Sequence, residues 1–233
     1  NGTNDELCFL VDLEGKQTKT ATITLSDKVD TKQWKARTFA EMVLRNPKVK
    51  EKNKHDIYLS SITIDKRTTN PYNVLHHHGV AFESELIAMR IYMDKRQTID
   101  LYGKFHKGLE LEQTQFYTSK EQKAQGYGDD VLWVGNTFGL GALRGWNGTE
   151  PTMLEDVEHR TQRILTTGPL RTIVEVEDNQ WTITPGAEPV NAKIRYTLYA
   201  GHRDFDVDVT FNKDVSAYEF STGIINVKNS TEF

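Results

Sequence analysis

Phe205-Asp206-Val207-Asp208-Val209-Thr210-Phe211 alternates without a break, putting Phe205, Val207, Val209 and Phe211 on one face of an extended chain and Asp206, Asp208 and Thr210 on the other. Strict alternation marks a strand with one buried face, the habit of antiparallel sheets. Ala192 to Tyr199 repeats the pattern, with Ala192, Ile194, Tyr196 and Leu198 against Lys193, Arg195, Thr197 and Tyr199. Working outward, strands are expected at 7–13, 20–25, 57–64, 82–93, 98–105, 109–117, 131–134, 170–177, 181–184 and 218–227. Two helices are expected: 34–45, where Trp34, Thr38, Met42 and Arg45 share a stripe, and 152–163, where acidic residues follow Pro151. Strands and helices do not alternate, which argues against a parallel doubly wound sheet. The expected fold is all-β, mainly an antiparallel β-sandwich or super-sandwich with one or two short helices, in a single domain over 1–233.

Length and composition narrow the function classes. The chain has 233 residues, ample for a core. Exchanging its 9 Tyr for its 16 Gly in the apolar count gives roughly 40%, below the roughly 45–50% usual for that set. No apolar run approaches the roughly 20 residues that span a bilayer, so no membrane span is expected, and the Asn1-Gly2-Thr3-Asn4 start carries no apolar leader. Net charge is −4 and the basic residues are scattered. The one local cluster, Lys48, Lys50, Lys52 and Lys54, reads as a solvated loop, so no nucleic-acid partner is expected. The single Cys8 excludes an internal disulfide and sits among Leu7, Phe9, Leu10 and Val11 as a small apolar residue.

Chemistry concentrates in two neighbouring blocks. In His76-His77-His78-Gly79, an extended chain would point His76 and His78 one way and His77 the other. His76 and His78 could then share a substrate or a divalent metal that Glu83 or Glu85 completes, although a histidine-rich surface turn fits the same residues. No other cofactor is implied. In Thr98 to His106, alternation gathers Asp100, Tyr102, Lys104 and His106. A three-residue loop at Asp94-Lys95-Arg96 sets Arg90 opposite Asp100, pairing opposite charges and uniting Ser84, Arg90, Tyr92, Asp100, Tyr102, Lys104 and His106 on one polar face. That face reads as the solvent side of a sheet or as a ligand surface. Downstream, Gly126 to Gly141 is rich in glycine and aromatics but has no phosphate-loop or dinucleotide spacing. Trp133 and Trp146 suit stacking on a sugar ring, or a place in the core.

Taken together, His78 to Glu85, Arg90 to Asp94, Ile99 to Lys104 and Asp130 to Gly135 resemble a bacterial domain-of-unknown-function family, number 4861. The family occurs in polysaccharide-utilisation loci of Bacteroidetes, beside unsaturated uronyl hydrolases, and includes oligosaccharide dehydratases acting on ulvan fragments. The resemblance runs from about Asn4 to Lys228. Family members are longer, so the resemblance also implies a missing C-terminal part. It implies a periplasmic or secreted carbohydrate-active enzyme with a galactose-mutarotase-like sandwich, a carbon–oxygen lyase that removes water from the non-reducing-end uronate of an oligosaccharide to leave a 4,5-unsaturated sugar.

Such a reaction needs a cation on the uronate carboxylate, because the C5 proton is otherwise too weakly acidic. Arg90 suits this role, with Lys104 as the second candidate. His78 and Tyr92 are the expected acid and base, in an order the pattern leaves open, with His77 beside them. Glu83, Glu85, Tyr102, Trp133 and Asn136 are the expected sugar contacts. A polysaccharide lyase, a mutarotase-like epimerase and a non-catalytic sugar-binding module fit the same residue types. Oligomeric state is not legible.

Overall fold

A computed structural model describes residues 6–25, 27, 33–49 and 55–228. In chain order the first strands are β1 (Thr38–Glu41), β2 (Ser61–Asp65), β3 (Gly79–Ser84), β4 (Ile87–Tyr92) and β5 (Ile99–Gly103). Two short helices follow, α1 (Leu111–Thr114) and α2 (Lys120–Ala124). Then come β6 (Asp129–Asp130), β7 (Arg144–Trp146), β8 (Pro151–Thr152), β9 (His159–Thr166), β10 (Arg171–Trp181), β11 (Val190–Tyr199), β12 (Asp206–Phe211) and β13 (Phe220–Ser221). Two five-stranded sheets, β1-β3-β4-β5-β6 and β12-β11-β10-β9-β2, are antiparallel throughout, and a small third sheet runs β13-β7-β8. The expected all-β sandwich is what forms.

Alternation explains the core. Val80, Phe82, Met89, Ile91 and Ile99 from the first sheet meet Val174, Val176, Ile194, Tyr196 and Leu198 from the second in one buried cluster. Across the interface Gln162 of β9 accepts from the Val80 amide at 2.8 Å and donates to the Ile91 carbonyl at 3.1 Å, so a polar side chain sits between the sheets at no cost in unpaired groups. The β4–β5 hairpin has the expected register, with Arg90 opposite Asp100 and Met89 opposite Leu101.

The other face of the first sheet is a correction. Read as a possible solvent side, it is buried: Glu83, Arg90, Tyr92, Asp100 and Tyr102 are at most 5% exposed, whereas Ser84, expected on this face, lies on the side of Val80 and Phe82 and donates its hydroxyl to the His202 carbonyl at 2.7 Å. The segment from Phe105 to Gly128 folds over it, and Leu111 and Phe116 pack on Ala81, Ala88 and Tyr102. Residues 109–117 are therefore a helical turn and not the expected strand. The reason is the Glu83 carboxylate, which accepts the amide protons of Glu110 at 2.9 Å and Leu111 at 2.9 Å and so satisfies the start of α1.

Other expectations also yield to pairing. The expected helix at 34–45 gives way to β1, which pairs with β3, and the one at 152–163 to β8 and β9, whose Thr161, Ile164 and Thr166 suit a strand between β2 and β10. The run 82–93 breaks at Glu85-Leu86 into β3 and β4, where the Ser84 hydroxyl accepts from the Leu86 amide. Segments 7–13 and 20–25 join no sheet and expose Leu7, Phe9, Ile23 and Leu25. Residues 131–134 are loop, and 218–227 keeps only β13 and one bridge at Ile224. Lys50, Lys52 and Lys54 lie outside the described residues.

Candidate functional site

The histidine row is a turn and not a strand. The His76 amide donates to Val43 at 2.8 Å and the His78 amide to Leu75 at 3.1 Å, while His78 adopts φ +64°. The left-handed conformation is uncommon for a side chain other than glycine. It allows Gly79 to enter β3 against β4 so closely that a Cβ there would lie 1.6 Å from the Ile91 carbonyl oxygen. The turn separates the three rings. His77 is fully buried, and His76 and His78 face a shared crevice.

This crevice, of about 250 Å³, is lined among others by Arg45, His55, His76, His78 and Tyr117, and among the described residues no carboxylate is in its wall. His78 stacks on Tyr72 with ring centroids 3.7 Å apart, and its Nδ1 lies 2.9 Å from the Tyr72 carbonyl oxygen. A carbonyl only accepts, so Nδ1 carries the proton and Nε2 the lone pair. His55 is set the other way: its Nδ1 accepts from the Asn46 amide at 3.0 Å, which puts the proton on Nε2. Burial lowers His78 to about 4, with Arg90 and Arg45 adding their repulsion. Burial, then Arg45, also lowers His55. Two uncharged imidazoles in opposite tautomers, one an acceptor and one a donor, thus share one positively charged crevice.

Behind the crevice the buried sheet face supplies a second layer. Arg90 donates to Asp100 through Nη2 at 2.6 Å and Nε at 3.0 Å, to Asp130 at 2.9 Å, and through Nη1 to the Tyr117 hydroxyl at 3.0 Å. Tyr92 donates to the same Asp100 oxygen at 2.9 Å. Burial opposes the charge of Arg90, but Tyr117, Asp100 and Tyr92 outweigh it and hold the guanidinium above its already high value. Burial raises the Tyr117 phenol, against the pull of Arg90. It also raises Asp130, together with the charge of Asp100, to about 6.

His77 pairs with Glu41 across 2.7 Å, both being at most 2% exposed. Burial, then Glu112, raises Glu41 to about 8, and burial, then Arg90, lowers His77 to about 3. At neutral pH the pair is therefore uncharged, the carboxyl donating to Nε2.

The expected site residues thus divide. His76 and His78 line the crevice; Arg90 and Tyr92 stand behind it with their polar atoms engaged; His77 is sealed in the interior. Lys104 is committed elsewhere, to the Glu83 carboxylate and to the carbonyls of Ser84 and Gly108, both at 2.7 Å. Tyr102 donates to Glu110 at 2.8 Å. Glu85 binds Arg37 and accepts from the Gly201 amide at 3.0 Å. Trp133 and Asn136 are exposed on the loop after β6. Arg45, His55, Tyr72 and Tyr117 were not among the expected site residues; each is a lone residue in its stretch of sequence, and only the fold brings them to the histidine turn. Among the described residues no group of three or more His, Cys, Asp or Glu is placed to hold a metal, and Glu83 and Glu85, the carboxylates expected to join His76 and His78, are paired with Lys104 and Arg37.

Compared with known proteins, residues 1–233 match the family model described as Domain of unknown function (DUF4861). No curated protein and no solved structure matches the chain.

Proposed function

Because the chain belongs to the DUF4861 family over its whole length, the resemblance drawn from its motifs bears on the crevice, and we propose that it is an oligosaccharide dehydratase acting on a terminal uronate. The observation that carries the reading is the pairing of an uncharged, tautomer-fixed His78 with Arg45 in one crevice. Arg45 takes the substrate carboxylate, the part the sequence suggested for Arg90, whose donors are spent on Asp100, Asp130 and Tyr117. The Nε2 proton of His55 supports the charge that spreads onto that carboxylate as the C5–H bond breaks. His78 Nε2 takes the C5 proton, and the electron pair becomes the C4=C5 bond as the C4–O bond breaks. Tyr117 gives its proton to the departing hydroxyl, which leaves as water, and Arg90, 3.0 Å from the phenol oxygen, stabilises the phenolate. The proton on His78 then returns to Tyr117 through solvent.

The test is to incubate the protein with uronate-ended oligosaccharides and follow product mass. Loss of one water with the chain intact is expected, and His78→Gln should lower the rate by about 10²–10⁴, the usual worth of a general base. A shortened chain would instead identify a polysaccharide lyase, and saturable binding without chemical change a sugar-binding module.

A further inference from the structure

Trp133 is 94% exposed, the most exposed large aromatic side chain among the described residues, and folding gives no reason for it to stand in water. Its loop is nonetheless pinned. The Val131 amide donates to Leu101 at 3.1 Å, Val134 is 2% exposed, and the Thr137 amide donates to the Val134 carbonyl at 3.0 Å. Both ends of the loop are also tied to the crevice wall. Before it, Asp130 holds Arg90, which holds Tyr117. After it, the Gly135 carbonyl accepts from Arg96 at 3.4 Å, and the Arg96 guanidinium lies 4.7 Å from the centre of the Tyr72 ring on which His78 stacks. The two arginines therefore tie the backbone that carries the exposed indole to the residues around Tyr117 and His78.

The geometry points to Trp133 as the stacking platform of a second saccharide subsite, holding a pyranose that follows the terminal uronate. This rests on the dehydratase reading and extends it from one sugar to a chain. An indole face suits the C–H surface of a pyranose, and a backbone already held in place loses little freedom on binding. The crevice selects the anionic end and the indole the length.

The experiment measures calorimetric affinity in a His78→Gln background, which prevents turnover, for a uronate monosaccharide and for a uronate-ended tetrasaccharide. Trp133→Ala should weaken the tetrasaccharide about two- to tenfold, the range for one aromatic contact, and leave the monosaccharide unchanged. Trp133→Phe should restore most of the loss, and Arg45→Ala should weaken both ligands. Equal affinities of the Trp133→Ala and parent proteins for the tetrasaccharide would overturn the platform while Arg45→Ala still tests the crevice. Equal weakening of both ligands by Trp133→Ala would also overturn it. If the parent binds neither sugar, the uronate reading fails and the platform falls with it.

Discussion

The face of the first sheet turned toward the second carries Val80, Phe82, Met89, Ile91 and Ile99, whereas the opposite face, just as buried, carries Glu83, Arg90, Tyr92, Asp100 and Tyr102. The same strands build both, because side chains alternate. Apart from the Gln162 hydrogen bonds, the inner face is held by burial, which has no direction and tolerates small changes of shape. The outer face is held by paired charges, each of which fails if its partner is removed. An apolar outer layer of equal volume is often no less stable, so stability is a weak reason for this one. What the paired charges do achieve is position: Arg90 fixes Tyr117, and β3 begins at the turn that presents His78.

The contrast can be broken by substitution. Arg90→Ala should show the largest effect, a loss of about 3–5 kcal/mol in denaturant unfolding, because Asp100 is left charged at 1% exposure. Replacing both partners, Arg90→Met with Asp100→Leu, should recover much of this loss. If the single variant cost under about 1 kcal/mol, the outer face would behave like an exposed surface.

Glu41→Gln comes next and is read through pH. The folded carboxyl, raised to about 8, binds a proton that the unfolded chain has already released above the ordinary carboxylate range, so wild-type stability should fall as pH rises through that window. The Gln variant should lose that fall. Both proteins should still lose stability as pH drops below the ordinary histidine value, where unfolded His77 takes up a proton that the folded ring, lowered to about 3, refuses. Thermal melts across pH compare the two.

On the inner face, Ile91→Val should cost only about 0.5–1.5 kcal/mol. Lys95→Ala, which removes an exposed pair with Glu155 at 2.6 Å, should cost less still, under about 1 kcal/mol.

Much of this contrast was legible in the sequence, and its meaning was not. Alternation in 192–199 and 205–211 gave the sandwich, and charge pairing placed Arg90 opposite Asp100. Alternation separates two faces but says nothing of what covers the polar one. The cover lies in 105–128, whose helical turn depends on a carboxylate, Glu83, more than twenty residues upstream, which no local pattern reports. The same blindness gave Arg90 and Lys104 substrate roles: a cation in sequence carries no mark of an internal partner. His78 was legible as a residue. Its tautomer was not, because that depends on the Tyr72 carbonyl brought back by a turn.

The fold holds His78 uncharged, with its lone pair on Nε2. Nitrogen-detected NMR of the imidazoles in the intact protein, titrated from neutral to acid pH and assigned with His78→Gln, tests it without any substrate. The expected spectrum shows a neutral His78 protonated at Nδ1 that takes up a second proton only near pH 4. A His78 that carries its proton on Nε2, or that titrates at the ordinary histidine value near 6.5, would contradict it.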